Sequence, residues 1–444
     1  MATRHANITG LVPSLPLQLV LLVALTCGAS VVVDTGRPPS FVRARGTELT
    51  VDGEPFLFNG FNSYWMMGAA AEPSTRGRVT EVMRAGAGAG LAVCRTWAFA
   101  DGPGYGALQT APGVYDEKVF QGLDFVVSEA RRHGVRLILS LVNNYRDYGG
   151  RPQYVQWARA AGVGVAGDDD FYTNPVVKGY YKNHVKTVLT RVNTLTGVAY
   201  KEDPTIMAWE LINEPRCQSD YSGRTVNSWV QEMATYVKSI DGNHLLEIGL
   251  EGFYGDSSPE KKRFNPGYQV GTDCIASNLV PEIDFATIHI YPDQWLPGQS
   301  ENAQDAFTRR WIRSHWQDAR AVLRKPLVLT EFGKSSRDPG YGAAGRDAYI
   351  RAVYRSAYGL ARAGGGALAG AMVWQVVADG MAQLDDGYGI VLSRDAAAAA
   401  VIAGQSRAMS ALERTLSLQR AASRRRQLAG SAGAPQRRAA MVRA

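Results

Sequence analysis

The architecture of this chain can be read outward from one segment, Ile206-Met207-Ala208-Trp209-Glu210-Leu211-Ile212-Asn213-Glu214-Pro215-Arg216. Its first four residues are an unbroken apolar run, which is typical of a strand buried on both faces of a parallel sheet. Carboxylate, amide and guanidinium side chains follow at the point where such a strand would end. The segment therefore predicts a buried parallel strand whose carboxyl end carries polar groups.

Seven further apolar runs lie along the chain, and a Gly-, Asn- or Asp-rich loop and a helical pattern accompany most of them. They are residues 56–58, 91–94, 137–139, 245–248, 285–288, 327–329 and 371–374. Eight βα units in about 360 residues predict an α/β fold, a (β/α)8 TIM barrel with enlarged βα loops. A doubly wound open sheet is the alternative, but no Gly-rich phosphate turn follows the first run.

Helices are predicted between the runs. Residues 177–192 place apolar side chains three or four positions apart, which forms one stripe on a helix. Asp116 is predicted to cap a helix over 117–132 that ends at Gly134. An eighth helix is predicted from residue 396 to residue 414.

The amino terminus has the composition of a secretory leader. An apolar run at 15–25 is followed by the small residues of Cys27-Gly28-Ala29, so residues 1–29 are predicted to be a cleaved signal peptide of a secreted, extracellular protein. A membrane anchor is the alternative. Two prolines and a glutamine leave fewer than the ~20 apolar residues that a spanning helix needs, so no stable membrane insertion is expected.

Composition divides the rest of the 444 residues. We predict an N-terminal segment over 30–55 that includes a small lid on the barrel bottom, a catalytic barrel over 56–416, and a basic, disordered tail over 417–444. The formal net charge is +7, and the tail holds seven arginines and no acid. The body is therefore formally neutral, which argues against a nucleic-acid partner and suits an uncharged substrate. The oligomeric state is left open.

Cysteine and histidine patterns indicate neither a metal site nor a cofactor. The four cysteines show no CxxC spacing, and the six histidines form neither an HxH pair nor an HExxH motif. Removal of the leader would leave Cys94, Cys217 and Cys274. One disulfide with a free thiol and three free thiols are both compatible with this number.

Polar and aromatic residues follow the other apolar runs as well. In a barrel of this type the active site lies at the carboxyl ends of the strands, so these residues are expected to meet in one cleft. Glycoside hydrolysis needs two carboxylates there, one a protonated acid and the other an ionised nucleophile or base. The candidates are Glu214 and Glu331, with Arg95, Trp97, Asn213, Arg216, His289, Tyr291 and Trp374 around them.

Several of these strand ends resemble a known family. Trp209 to Cys217 and Leu329-Thr330-Glu331-Phe332-Gly333 resemble the strand-four and strand-seven signatures of glycoside hydrolase family 5. Cys94-Arg95-Thr96-Trp97-Ala98-Phe99 and the stretch 284–293 resemble the plant endo-β-1,4-mannanases of that family. The likeness runs from about residue 56 to residue 409, nearly the whole barrel.

The resemblance implies a retaining endo-hydrolase that cleaves internal β-1,4-mannosidic bonds of mannan, glucomannan and galactomannan by double displacement. It implies Glu214 as the acid/base and Glu331 as the nucleophile, with carboxyl groups about 5–5.5 Å apart. Seven further residues would order these carboxylates or bind the sugar. Arg95 and Tyr291 would hold Glu331, His289 would order both carboxylates, Asn213 would bind the sugar 2-hydroxyl, Trp97 and Trp374 would flank the sugar being cleaved, and Arg216 would contact the leaving-group side.

Other assignments remain open on the same fold. Another β-1,4-glycanase or a mannan transglycosylase is the main alternative, and a non-catalytic sugar-binding barrel is disfavoured because both carboxylates are present. Of the remaining acidic residues, Glu210 is predicted in an ion pair inside the barrel. Glu251 is undecided between substrate contact and support.

Overall fold

A small antiparallel sheet comes first in the computed structural model, which describes residues 40–339, 341–363, 367–384 and 386–432. It consists of β1 (Val42–Arg45), β2 (Glu48–Val51) and β3 (Glu54–Pro55). Its buried Val42 and Leu49 belong to one apolar cluster with residues at the amino ends of the barrel strands. The predicted signal peptide over 1–29 lies outside the described residues.

Eight parallel strands form a sheet that is nearly closed into a barrel. In chain order the remaining strands are β4 (Phe58–Asn62), β5 (Val93–Trp97), the β6–β7 ribbon (Gln109–Ala111 and Val114–Tyr115), β8 (Arg136–Ser140), β9 (Ile206–Glu210), β10 (Leu245–Glu247), β11 (Ala286–Ile290), β12 (Leu327–Phe332) and β13 (Leu368–Val373). The barrel order is β10-β9-β8-β5-β4-β13-β12-β11. The (β/α)8 barrel predicted from the apolar runs is confirmed.

Backbone hydrogen bonds also link the two strands at the ends of this order. The Asp284 amide donates to the Leu246 carbonyl at 2.8 Å, and the His289 amide donates to the Glu251 carbonyl at 3.0 Å. These bonds bring the region of β11 against that of β10. The carboxyl ends of all eight strands therefore surround one central opening.

Twelve helices accompany the strands in the described residues. They are α1 (Met66–Ala71), α2 (Arg76–Gly88), α3 (Glu117–His133), α4 (Gly150–Ala160), α5 (Asp170–Thr173), α6 (Pro175–Thr190), α7 (Arg224–Ile240), α8 (Cys274–Asn278), α9 (Pro292–Trp295), α10 (Glu301–Asp318), α11 (Gly342–Arg362) and α12 (Ala396–Ala432). None of the described helices is both long enough and apolar enough to cross a membrane.

Capping residues in the sequence determine where two of these helices begin. Asp116 accepts hydrogen bonds from the amides of Lys118 and Val119 at the start of α3, and Gly134 ends that helix at φ 67°. This left-handed backbone conformation favours glycine, because glycine has no Cβ. Helix α6 begins two residues before the predicted 177, because Asn174 caps it and Pro175 occupies its first turn.

The last helix differs from its prediction. The basic composition of 417–444 predicted a disordered tail, whereas α12 continues through 417–432. Ala, Leu, Gln and Arg are strong helix formers. Two ion pairs also hold this part of α12 to the first sheet, Arg420 to Glu48 and Arg424 to Glu54, the latter at 3.3 Å. Residues 433–444 lie outside the described range.

The cysteines are buried as free thiols. Cys94, Cys217 and Cys274 form no disulfide in the part of the chain that the structure describes. Burial raises the pKa of Cys94 and of Cys274, so both stay protonated at neutral pH. Of the two alternatives left open by the sequence, the structure has three free thiols.

Candidate active site

A cleft of about 490 Å³ lies at the carboxyl ends of the barrel strands. Seven of the nine predicted site residues line it: Trp97, Asn213, Glu214, Arg216, Tyr291, Glu331 and Trp374. The other two, Arg95 and His289, are fully buried beneath it and contact the carboxylates. The structure thus brings all nine residues together.

Glu214 and Glu331 face each other at the base of the cleft. Glu331 belongs to β12, and Glu214 follows β9 after a short turn. One oxygen of each carboxylate and one nitrogen of His289 lie within 4.8 Å of one another. Glu214 has φ 49°, an unusual backbone state for a residue other than glycine. Its amide donates to the Gly249 carbonyl at 2.9 Å, which holds this turn in place.

Three side chains hold the Glu331 carboxylate. Arg95 Nη1 donates to Oε1, the Tyr291 hydroxyl donates to Oε2 at 2.6 Å, and His289 Nδ1 lies 3.7 Å from Oε2. Burial raises the pKa of Glu331, and the negative charge of Glu214 adds to this effect. The positive charges of His289 and Arg95 oppose it without cancelling it.

Glu214 has a different set of partners. His289 Nδ1 lies 2.6 Å from Oε1, and the Tyr145 hydroxyl donates to Oε2 at 3.0 Å. Burial acts to raise the pKa of Glu214, but the hydrogen bond and charge of His289 outweigh it and lower that pKa. Burial likewise acts to lower the pKa of His289, and the charges of Glu331 and Glu214 raise it. Both directions favour the proton of the His289–Glu214 contact on the imidazole.

The two carboxyl pKa values thus move in opposite directions. Burial raises the pKa of Glu331 more than the charges of His289 and Arg95 lower it. His289 lies closer to Glu214 than to Glu331, 2.6 Å against 3.7 Å, and its hydrogen bond goes to Glu214.

Aromatic rings form one wall of the cleft. Trp374 and Tyr64 stack with their ring centroids 5.6 Å apart, and Trp97 lies 6.2 Å from Trp374. The Trp374 indole donates to Asp386 Oδ2 at 2.9 Å, which fixes the ring plane. Such flat apolar surfaces suit the C–H faces of sugar rings.

An ion pair forms part of the opposite wall. Arg216 donates to both oxygens of Glu251, at 3.0 and 2.7 Å, and its guanidinium lies 5.6 Å from the Tyr145 ring and 5.9 Å from the Tyr268 ring. Burial and the charge of Glu214 raise the pKa of Glu251 to about 7. Glu251 lines the cleft and also supports Arg216, so it combines the two alternatives that the sequence left open.

Residues 39–386 match the family model described as GH family 5 beta-mannosidase-like. The chain belongs to this family. It is 61% identical over 394 residues to mannan endo-1,4-beta-mannosidase 5 of Solanum lycopersicum, which covers 88% of this chain and 95% of that protein. It is 56% identical over 410 residues to mannan endo-1,4-beta-mannosidase 1 of Oryza sativa subsp. japonica, covering 90% and 95%. The family resemblance of the strand-end motifs is confirmed.

A solved structure agrees with this membership. The endo-beta-1,4-mannanase from Thermotoga petrophila superposes with a TM-score of 0.70 at 34% identity, covering 80% of this chain and 77% of that chain. The barrel of this family 5 protein is therefore shared with a mannanase whose fold has been determined.

Sequence reasoning missed several residues of this family 5 cleft. Tyr145 was not among the predicted site residues, although it directly follows the polar residues after β8. Tyr64, Tyr148, Asp386 and Tyr388 also line the cleft. The loops that carry them offer no motif that links them to the carboxylates, so the sequence held no signal for their placement.

The carboxylates of Glu214 and Glu331 and the imidazole of His289 have ligand atoms within 4.8 Å of one another, a spacing that a cation site also requires. Protein donors already contact these oxygens: Arg95 and Tyr291 at Glu331, and Tyr145 at Glu214. This donor set stabilises the two carboxylates.

Proposed function

We propose that this family 5 protein is a retaining endo-β-1,4-mannanase that cleaves internal bonds of mannan, glucomannan and galactomannan in plant cell walls. One observation carries the proposal: the Glu214–Glu331 pair lies within 4.8 Å in an aromatic cleft. The assignment of mannan as the substrate rests on the similarity to the plant protein named mannan endo-1,4-beta-mannosidase, which is 61% identical over 88% of this chain.

The short distance between the two carboxylates favours retention of configuration. Inverting enzymes separate their carboxyl groups by about 6.5–9.5 Å to admit a water molecule between acid and base, and retaining enzymes by about 5–5.5 Å. With oxygens within 4.8 Å, Glu331 is placed to attack the anomeric carbon itself. A covalent glycosyl-enzyme then forms, and water releases it in a second displacement.

Glu214 supplies the proton in the first step. The pKa directions favour the proton of the 2.6 Å contact on His289, so it moves through Glu214 to the glycosidic oxygen as the bond breaks. This proton leaves with the first product. In the second step Glu214 accepts a proton from the attacking water, and the contact with His289 is restored.

Arg95 and Tyr291 control the nucleophile. Their hydrogen bonds to separate oxygens fix the Glu331 carboxylate in one orientation and favour its ionised form. Tyr291 is itself largely buried, which restricts the position of its hydroxyl. The attacking oxygen is then held in place before the substrate arrives.

The remaining predicted residues would bind the polysaccharide. Trp374 would lie under the sugar that is cleaved, with Trp97 beside it, and Asn213 would bind the sugar 2-hydroxyl. Arg216, held by Glu251, faces the leaving-group side. Secretion to the cell wall belongs to the same proposal and rests on the leader-like composition of residues 1–29.

Reducing-end release from β-mannan tests the proposal. Glu331→Gln and Glu214→Gln should each lower turnover on the order of a thousandfold or more, with unchanged melting temperature. Glu260→Gln, a change at an exposed glutamate that does not line the cleft, is the matched control and should retain full activity. Near-normal turnover in Glu331→Gln would refute the assignment. Proton NMR of the first products should show the β-anomer, whereas the α-anomer would exclude retention.

A further inference from the structure

Two buried glutamates that the proposed mechanism does not use lie beneath the catalytic pair. Glu210 ends β9 and Glu247 ends β10, and the two are register partners in the parallel sheet. Both are completely buried. Since paired residues of neighbouring strands point to the same face of a sheet, the two side chains lie side by side.

Arg95 connects this glutamate pair to the nucleophile. Glu210 takes two of its donors, Nε at 2.5 Å and Nη2 at 2.7 Å. Asn62 and Asn213 accept one hydrogen bond each, at 3.1 and 2.7 Å, and the fifth goes to Glu331. A guanidinium has five N–H donors, so every one is used. The bidentate contact with Glu210 therefore sets the direction in which Arg95 meets Glu331.

Glu247 has no basic partner of its own among the described residues. Its Oε2 accepts from the Gly249 amide at 2.5 Å and from the Thr287 hydroxyl at 3.3 Å. Its Oε1 is buried with no donor against it. A buried carboxylate oxygen without a donor is costly, but a protonated one can itself donate, and Glu210 is the acceptor beside it.

The electrostatics of the two groups agree with this geometry. Burial and the charge of Glu210 raise the pKa of Glu247 well above its usual range. Burial acts in the same direction on Glu210, but Arg95 outweighs it and lowers the pKa of that carboxyl. The charged or titratable groups that face Glu247 are Glu210 from β9 and Arg95 from β5, and Thr287 of β11 adds a neutral hydroxyl.

We propose that Glu247 and Glu210 share one proton and together act as a positioning pair that orients Arg95 toward Glu331. The inference rests on the proposed hydrolase function, because that function gives Glu331 the attacking role. The proton on Glu247 donates to Glu210, so the Glu210 anion is held from both sides. A second buried anion at Glu247 would compete with Glu331 for the charge of Arg95, and the shared proton prevents this.

Substitution of Glu247 separates a neutral role from a charged one. Glu247→Gln keeps an acceptor for Gly249 and an N–H donor for Glu210, so kcat on mannan should stay within about twofold and the pH profile should not move. Glu247→Leu lacks both, and kcat should fall about tenfold with KM unchanged. A tenfold loss in Glu247→Gln at unchanged melting temperature would overturn the proposal, because it would show that Glu247 must be ionised.

An infrared measurement tests the proton without any substrate. The difference spectrum between the wild-type protein and Glu247→Gln at pH 7 should contain the C=O stretch of one protonated carboxyl group. Loss of a carboxylate band instead would overturn the proposal. Because this readout needs no mannan, its result is independent of whether the proposed hydrolase function holds.

The double variant Glu210→Gln/Glu247→Gln tests the effect on the nucleophile. With both carboxyl groups neutral, Glu331 is the only anion at Arg95, so the pKa of Glu331 should fall and the acidic limb of the pH profile should move to lower pH. The loss of the bidentate contact should also lower kcat about tenfold while KM stays constant. An acidic limb and kcat equal to those of Glu247→Gln alone would contradict a positioning role for Glu210.

Discussion

The imidazole Nδ1 of His289 lies 2.6 Å from Oε1 of Glu214. The same nitrogen is 3.7 Å from Oε2 of Glu331. The buried imidazole therefore interacts with both carboxylates, and it lies closer to that of Glu214. The two carboxyl groups are chemically identical, and this asymmetry is one cause of their opposite pKa shifts. The working pH range of the enzyme depends on it.

The pH profile of kcat/KM should have both limbs above the ordinary values of the groups concerned. Glu331 must be ionised to attack, and its pKa is raised above the ordinary 4.5. Activity should therefore decrease with falling pH around a midpoint that lies above 4.5. The acid/base proton is held by His289, whose pKa is raised above 6.5, so the alkaline limb should lie above 6.5. Initial rates on soluble galactomannan across the pH range measure both limbs. An acidic midpoint below 4.5 would contradict the first assignment.

Tyr291→Phe should lower turnover and move the acidic limb upward. The variant removes a 2.6 Å hydrogen bond that favours the ionised form of Glu331, so the pKa of Glu331 should rise further. Loss of one hydrogen bond to a charged group is worth about 1.5–3 kcal/mol, which corresponds to a fall in kcat of about ten- to a hundredfold. The pH profile of the variant is the measurement. Tyr358→Phe, at an α11 position outside the cleft, is the control, and an unmoved limb in Tyr291→Phe would refute the role.

Arg95→Lys should lower kcat strongly even though it keeps a positive charge at this position. Lysine keeps the charge near Glu331 but cannot reproduce the two-point contact with Glu210 or the bonds to Asn62 and Asn213. We expect kcat to fall on the order of a hundredfold with little change in KM, because Glu331 loses its fixed orientation. Kinetics on mannan together with thermal unfolding check this. A variant with wild-type kcat would show that charge alone is sufficient.

Asp116→Ala should destabilise the barrel without affecting catalysis. Asp116 caps α3 by accepting from the amides of Lys118 and Val119, and loss of such a cap costs about 1 kcal/mol. Chemical denaturation should show this decrease in the free energy of unfolding. Asp116→Asn, which can still accept these bonds, is the matched control and should remain close to wild type. Equal stability of the alanine and asparagine variants would contradict the capping role.

Removal of residues 417–444 should leave mannan hydrolysis unchanged. The ion pairs of Arg420 and Arg424 are partly exposed, and such pairs contribute about 0–1 kcal/mol. The free energy of unfolding should therefore fall by no more than about 1 kcal/mol, while kcat and KM stay the same. A large loss of activity at 25 °C would show that the end of α12 does more than contact the first sheet.

The barrel was predictable because its strands are buried on both faces. Each of the eight apolar runs overlaps an observed strand, but the run 56–58 meets β4 only at Phe58, and β13 begins three residues before the predicted 371. Gly370 interrupts the apolar sequence of that strand. The predicted run therefore began after the glycine and did not include Leu368 and Ala369. Strand existence is therefore set by burial, whereas strand ends depend on packing that no local pattern records.

The site was predictable only where chemistry and strand ends coincide. Glu214 and Glu331 lie shortly after two of the apolar runs, so topology brings them together. Tyr64 lies on the short connection between β4 and α1, and Asp386 lies on the long loop after β13. The direction of the Glu331 pKa shift depends on how deeply its carboxyl group is buried. The helical course of 417–432 was missed because net charge was given more weight than helix propensity.

The contact between Arg420 and Glu48 joins residues 372 positions apart, at the end of the barrel opposite the cleft. The first sheet and the last helix of the described chain therefore meet on one face. A fusion partner or a surface tether joined beyond α12 would extend from that face and leave the mouth of the cleft open to a passing polymer. The same closeness makes the molecule a candidate for circular permutation, with the old ends linked beneath the barrel and new ends opened in a surface loop.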